Sequence, residues 1–382
     1  MRGTLRIGRI AGIEIRLHYT WLIAFILITW SVTQWFLMPA YPGWSSATYW
    51  ITGVIAALLL FVSVLLHELA HSLVAKARGL SVRGITLFIF GGVSRIEEEP
   101  EKPMVEFTMA IVGPLASLAL AGIFWGIGYA LTNEGTQVAA IVTYLMLINL
   151  VLGIFNLLPG FPLDGGRVLR SIIWGVTGNL VKATNIAATI GRIFGWGFIV
   201  FGMFELLTGN FLGGMWIAFI GWFISSAANA SRQEVALRER FSGVSVNEVM
   251  DPSPETISLN TSVAEVVRDI FFQQRRRAVP VSQEDRIVGI ITTSDVKGLP
   301  QHKWAQTVVG QVMTREPIYS VAPQDDLNSA MKLIRQHDLN QVLVFDRRKL
   351  VGLLSRADVI RYLQLSQELG MKSEHERRRR HP

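Results

Sequence analysis

The chain has 382 residues, too many for one ordinary domain, and half of them are hydrophobic with a mean hydropathy of +0.37, which points to a membrane protein and away from a wholly soluble one. Its formal net charge of +7 divides as +3 over residues 1–228 and +4 over residues 229–382, so no single basic domain stands out and nucleic-acid binding has little support. There is no cysteine, which excludes disulfides and thiolate ligands and leaves histidine and carboxylate for any metal.

The N-terminus lacks a small-residue cleavage site after its first apolar run, so no removable signal peptide is expected. Six apolar spans follow, at roughly 19–38, 51–75, 104–131, 137–158, 193–208 and 211–228. Runs of about 20 residues match the hydrocarbon thickness of a bilayer. Residues 1–228 hold 13 Lys+Arg and 10 Asp+Glu, against 23 and 19 in residues 229–382, so a membrane part precedes a soluble part. Arg2, Arg6, Arg9 and Arg16 precede the first span. Lys76, Arg78, Arg83, Arg95 and Lys102 separate the second from the third, and Arg167, Arg170, Lys182 and Arg192 the fourth from the fifth. The alternate loops, 39–50, 132–136 and 209–210, have no Lys or Arg, which places both termini in the cytoplasm. Trp30, Trp35, Tyr41 and Trp44 near one boundary suit an interfacial aromatic belt.

The second span carries His67-Glu68-Leu69-Ala70-His71 in a run without charge from about Trp50. Two histidines at i and i+4 project from one helix face, a spacing that lets both imidazoles reach one Zn²⁺ with the intervening Glu68 as general base. An ionisable cluster inside a membrane span is costly, which favours a function over a chance match. At 1.5 Å per residue His67 lies about 13 Å along the helix from Lys76, below the surface but reachable from the cytoplasm. Next, Ile85–Phe90 is rich in β-formers, Gly91-Gly92 is a turn signal, Val93–Ile96 reads as a returning strand, and Glu97-Glu98-Glu99 ends it. Such a hairpin offers an edge strand to an extended peptide; the alternative is a plain cytoplasmic loop.

Two histidines do not complete a hydrolytic zinc site, which takes three protein ligands and an open position. Asp164 is the candidate third ligand: the only carboxylate in the fourth span or its continuation, within Asn156-Leu157-Leu158-Pro159-Gly160-Phe161-Pro162-Leu163-Asp164-Gly165-Gly166. The prolines and glycines break the helix there, and the orientation puts Asp164 at the same cytoplasmic side as His67 and His71. The competing reading of Asp164 is a helix cap at the membrane boundary. His18, His302, His337, His375 and His381 lack ligand spacing, Glu205 reads as interfacial, and Gly191 with Gly195 forms a small-xxx-small pair.

Arg232–Arg240 reads as a charged, helical linker, and the soluble part beyond it contains a repeat. Val249-Met250 recurs as Val312-Met313, Gly289 as Gly352 and Asp295 as Asp358, each 63 residues on. Each copy reads as a short strand, a helix (Val263–Gln274, Leu327–His337), two strands (278–282 with 286–291, 341–345 with 349–354) and a second helix. The fold expected is thus a polytopic α-helical membrane domain of about six transmembrane helices followed by a cytoplasmic α+β module. The Arg377–Arg380 run reads as a solvated tail that touches anionic lipid.

On HELAH at 67–71, Asn156…Pro162-Leu163-Asp164-Gly165-Gly166 and Gly113-Pro114-Leu115-Ala116-Ser117, residues 1–228 resemble the site-2 protease family of intramembrane zinc metalloproteases. The resemblance implies His67, His71 and Asp164 as zinc ligands, Glu68 as base, and Asn156 as the group that binds the substrate carbonyl or oxyanion. It implies hydrolysis of a transmembrane protein, such as an anti-sigma factor or a shortened membrane remnant. The region 84–100 resembles that family's membrane-associated β element. The repeat resembles a tandem pair of cystathionine-β-synthase (CBS) domains, here residues 244–300 and 307–366, with a linker at 229–243 and a basic tail at 367–382. That resemblance implies an adenine nucleotide (ATP, ADP or AMP), with Asp295 and Asp358 on ribose and Thr292 and Ser355 on phosphate. It also implies a homodimer through these domains, and regulation of proteolysis by the nucleotide. A transporter or channel carrying regulatory CBS domains is the rival reading, and a zinc-bound but silent regulator a third. The rival should spread polar groups along a path through the bilayer, whereas here they gather at Glu68 and Asp164; the intact Glu68 argues against the third. The compact loops favour a prokaryotic plasma membrane.

Overall fold

The computed structural model describes residues 3–89, 91–96, 100–131, 135–241, 243–252, 254–284, 286–315 and 317–369. The Glu97–Glu99 stop and the Arg377–Arg380 tail lie outside the described residues. The chain divides into two compact units, Met1–Val235 and Ala236–Pro382.

The first unit begins with a hairpin, β1 (Thr4–Ile10) and β2 (Ile13–His18), turned at Ala11 and Gly12, both at positive φ. Then come α1 (Trp21–Ser31), a π-helical stretch (Val32–Leu37) and the short α2 (Met38–Ala40). The long α3 (Ser46–Ala77) is capped by Ser45, whose hydroxyl accepts from the Thr48 N–H. It exposes Val54, Leu58, Val62 and Leu73 and buries Ala56, Leu60, Ser63, His67 and His71 on the opposite face. Next are β3 (Val82–Phe88) and β4 (Gly91–Ile96). The four strands form one sheet in the order β1-β2-β3-β4, with β2 and β3 parallel. The expected 84–100 hairpin is present, but Gly91 and Gly92 are the first residues of β4, paired with Phe88 and Leu87, and not its turn. Ile13, Ile85 and Leu87 pack on Leu69, which lies between the two histidines of α3, so the sheet is seated on the motif itself.

The remaining helices are α4 (Pro103–Ala130), α5 (Gln137–Asn156), α6 (Asp164–Thr177), α7 (Leu180–Leu207) and α8 (Phe211–Phe241). Among the described residues, six helical stretches are long and apolar enough to cross a membrane. The fifth starts at Leu180, well before the expected 193, because Lys182 and Arg192 interrupt the apolar composition without interrupting the helix. Its small face makes the packing: Gly191 abuts the Phe161 carbonyl, and a Cβ on Gly195 would stand 2.7 Å from the Gly221 carbonyl of α8. The Arg232–Arg240 stretch continues α8 without a break. Asp164 is not in a continuation of α5. That helix ends at Asn156, the chain turns through residues 157–163 (with a cis Phe161–Pro162 peptide), and Asp164 is the first residue of α6.

In the second unit the first repeat holds β5 (Asp251–Pro252), β6 (Ile257–Ser258), α9 (Val263–Glu265, continued as a π-helical stretch to Gln273), β7 (Ala278–Gln283), β8 (Arg286–Thr292) and α10 (Thr293–Lys297). The second holds α11 (Val309–Val312), β9 (Ser320–Val321), α12 (Leu327–Gln336), β10 (Gln341–Asp346), β11 (Lys349–Ser355) and α13 (Arg356–Glu368). Two sheets result, β6-β7-β8 and β5-β11-β10-β9, so β5 crosses into the second repeat's sheet. The repeated residues explain the crossing. Met313 packs on Gly289 and Met250 on Gly352, positions where any Cβ would collide with the thioether.

Candidate metal centre

One helical turn of α3 brings the Nε2 atoms of His67 and His71 to 3.2 Å from each other, and both residues are 5% exposed. Asp164 at the start of α6 adds an oxygen: its Oδ2 is 3.2 Å from His67 Nε2 and 3.1 Å from His71 Nε2. Among the described residues this trio is the group of His, Asp and Glu with converging ligand atoms. A tetrahedral centre with bonds of 2.0–2.1 Å has edges of about 3.3 Å, so a triangle of this size fits three ligands of one Zn²⁺ and leaves its fourth corner open.

Hydrogen bonds settle which imidazole nitrogens face inward. The Met109 carbonyl can only accept, so His71 Nδ1–H donates to it at 2.6 Å and Nε2 presents a lone pair to the centre. His67 Nδ1 lies 2.9 Å from the buried Ser117 hydroxyl, the same outward arrangement. At these separations a metal cation, or a proton on an imidazole, must lie between the two nitrogens and the carboxylate oxygen. Both outer partners come from α4, as does the wall of the site: a Cβ on Gly113 would run into both imidazoles. The Gly113–Ser117 segment therefore lies against the two histidines.

Glu68 is next to His67 but faces the sheet. Its Oε2 accepts from the Ser94 hydroxyl at 2.8 Å, and Ser72 donates to Ser94 at 3.0 Å. Gly92 of β4 leaves no room for a side chain over the Glu68 methylenes. β4 is an edge strand of its sheet, so the outer rim beside Glu68 is unpaired by the strands of this unit. Asn156 is less engaged. It ends α5, and its Nδ2 donates to the Leu152 carbonyl at 2.9 Å; no hydrogen bond among the described residues joins it to the trio.

Sequence reasoning missed several supporting groups. Met109 acts through its backbone, and no residue type signals that. Ser94 lay in a segment read only as strand. Asn149, fully buried, donates to Ser63 at 3.1 Å and ties α5 to α3 one turn before His67. Glu106 is an acid buried in the first turn of α4, a signal that was available.

In the second unit, Thr292 and Asp295 bond each other: Asp295 Oδ2 accepts from the Thr292 N–H and hydroxyl, both at 2.7 Å. Asp358 Oδ2 does the same for the Ser355 N–H and hydroxyl, at 3.0 and 2.6 Å. These are helix-capping boxes. Ser355 and Asp358 also line a cavity of about 960 Å³ with Arg275, Arg276, Arg277 and Arg356; Thr292 and Asp295 do not line it. Arg276 pairs with Asp251 through Nη2 at 3.0 Å, while its buried Nη1 has no partner among the described residues.

With this geometry in view, the sequence matches peptidase family M50 over residues 55–139 and 130–198, and the CBS domain over 246–300 and 309–365. It is similar to zinc metalloprotease MJ0392 of Methanocaldococcus jannaschii, 30% identical over 372 residues that cover 97% of this chain and 99% of that protein. It is also similar to sll0528 of Synechocystis sp., provisionally named a zinc metalloprotease, 36% identical over 376 residues that cover 96% of this chain and 97% of that protein. Among solved structures, the site-2 protease from Methanocaldococcus jannaschii is 30% identical and covers 60% of this chain and 95% of its own, with a TM-score of 0.41.

Proposed function

The chain belongs to peptidase family M50 and is a multi-pass membrane zinc metalloprotease with a CBS pair; from that membership we propose how its residues divide the work. It hydrolyses peptide bonds of membrane-spanning proteins, and the family leaves no place for the transporter reading.

In the proposed assignment His67, His71 and Asp164 hold the zinc, which when bound supplies Lewis acidity toward a water and the scissile carbonyl. Glu68 takes the proton of the attacking water on its carboxylate and returns it to the leaving amine. Ser94 holds that carboxylate from the sheet side. One Asn156 amide N–H is engaged by Leu152; the other is assigned to the developing oxyanion. An intact substrate helix hides its carbonyls, so the substrate unwinds and pairs as an added strand along β4, beside Glu68. The Lys and Arg distribution supports cytoplasmic termini and a plasma-membrane setting, with cleavage near the cytoplasmic side. We assign 1–228 to the protease, 229–243 to the linker, and 244–300 and 307–366 to the two CBS domains, through which the protein forms a homodimer.

The observation that carries the reading is the 3.1–3.2 Å triangle of two imidazole nitrogens and one carboxylate oxygen. Its test is zinc content per chain in detergent. The wild type should hold one zinc and Asp164→Ala should lose it; a well-folded wild type without zinc would sink the assignment.

The cavity beside Ser355 and Asp358 supports a second, regulatory reading. Its arginines and the unpartnered Arg276 Nη1 suit the phosphates of an adenine nucleotide whose ribose meets Asp358. The Thr292–Asp295 pair, outside that cavity, is the weaker half of the assignment.

A further inference from the structure

Glu106 carries the only charge in α4 and is 1% exposed. Arg170 of α6 donates to its Oε1 twice, through Nη2 and through Nε, the latter at 2.7 Å. Arg167, one turn earlier on α6, brings its Nε to 3.9 Å from the same oxygen. The Arg170 guanidinium also lies over the Phe161 ring, 4.9 Å from its centre. A buried ion pair is a poor source of net stability, because desolving both charges offsets most of their attraction. Its place in this fold points to another role.

Three elements build the metal centre. Helix α3 gives the histidines. Helix α4 gives their outer partners, Met109 and Ser117, and the Gly113 wall. Helix α6 gives Asp164, and it reaches the site only through the turns at 157–163. Gly165 and Gly166 press α6 against the backbone of Leu157, Leu158, Gly160 and Phe161, and α6 also packs along α4. The charged link between α4 and α6 is Glu106 with Arg167 and Arg170. Met109 follows Glu106 by three residues, so one turn of α4 holds both the partner of His71 and the partner of Arg170.

We propose that Glu106, with Arg167 and Arg170, is a positioning group that sets the distance of Asp164 from His67 and His71 and thereby the affinity for zinc. The proposal rests on the zinc-ligand assignment above. Removing partners that orient ligands typically costs 10–100-fold in metal affinity.

The test measures zinc dissociation constants by chelator competition on the full chain in detergent, with thermal stability of the metal-free protein in parallel. Glu106→Gln should bind zinc at least about tenfold more weakly, and its kcat should return toward wild type as zinc is raised to saturation. Because that variant leaves two arginines uncompensated, the double variant Glu106→Gln/Arg170→Met separates the two roles. It should regain stability, having no unpaired charge at position 170, yet keep the weakened zinc affinity. Glu106→Gln binding zinc within threefold of wild type would overturn the proposal. So would a double variant that regains both properties, since the pair would then only hold the fold. A wild type without zinc would instead overturn the ligand assignment on which the proposal stands.

Discussion

Replacing Gly113 by alanine is the sharpest perturbation of the centre that touches none of its ligands. The added methyl would stand 2.5 Å from His71 Cε1 and 2.8 Å from His67 Nε2, with His71 Nε2 nearer still. Ordinary packing needs about 3.5 Å, so the His67 ring must retreat by roughly 0.7 Å and the His71 ring by more than about 1 Å. Ligand distances at a zinc site tolerate only about ±0.2 Å, so at least one imidazole leaves the coordination shell. The expected loss exceeds the 10–100-fold typical of an outer partner: at least about 100-fold in zinc affinity, or about 2.7 kcal/mol. The helix itself should not suffer, because alanine is a better helix former than glycine by about 1 kcal/mol and the rings can rotate away when no metal holds them. Chelator competition on the purified chain gives the affinity, and the melting temperature of the metal-free protein gives the fold. Gly113→Ala binding zinc within threefold of wild type would refute the placement of α4 against the histidines.

Three further outcomes are expected. Glu68→Gln should keep one zinc per chain and lose turnover by about 10²–10⁴-fold, and Gly92→Ala, whose methyl collides with Glu68 Cγ and stands 3.1 Å from its Cδ, should displace that carboxylate and lower kcat at unchanged zinc content. A Glu68→Gln variant that still cleaves would remove the base assignment. Arg276→Ala should weaken ATP or ADP binding at least about tenfold by titration calorimetry, since a charge-assisted contact to phosphate is lost. No binding of ATP, ADP or AMP to the wild type would remove the nucleotide reading.

The ligands were legible because ionisable groups in apolar spans are costly and stand out: His67, Glu68, His71 and Asp164 were each named from type, spacing and depth, and the structure brings the three candidate ligands together. The repeat was legible because Met250, Met313, Gly289 and Gly352 recur at one period, and they turn out to pack on one another. The missed parts depend on long-range contacts. Residues 4–18 form half of the sheet on Leu69, yet they read only as a set of cytoplasmic arginines. The alternation Ile13, Ile15, Leu17 against Glu14, Arg16, His18 was the available signal. Asp164 was expected beside His67 and His71, where it lies, but in the wrong element, because a helix start and a broken helix end carry the same Pro and Gly punctuation. Glu106 was passed over since an acid at the edge of a span reads as interfacial until Arg170 is found against it.

The supporting charges and the converging lone pairs are two sides of one electrostatic problem. His67 and His71 are held with Nε2 inward by hydrogen bonds of their Nδ1 atoms to Ser117 and Met109 on α4, and Asp164 points an oxygen at both. Three such atoms at 3.1–3.2 Å need a cation, a proton or a metal ion, between them, and α6, which carries Asp164, packs on both α4 and α7. To that packing Glu106 adds an attraction between α4 and α6 that does not depend on the metal. The arrangement holds the ligands apart from water and near their bound spacing before zinc arrives, so less reorganisation is needed on binding. On the proposal above, the affinity for zinc is then tuned by a buried carboxylate two helical turns from Gly113.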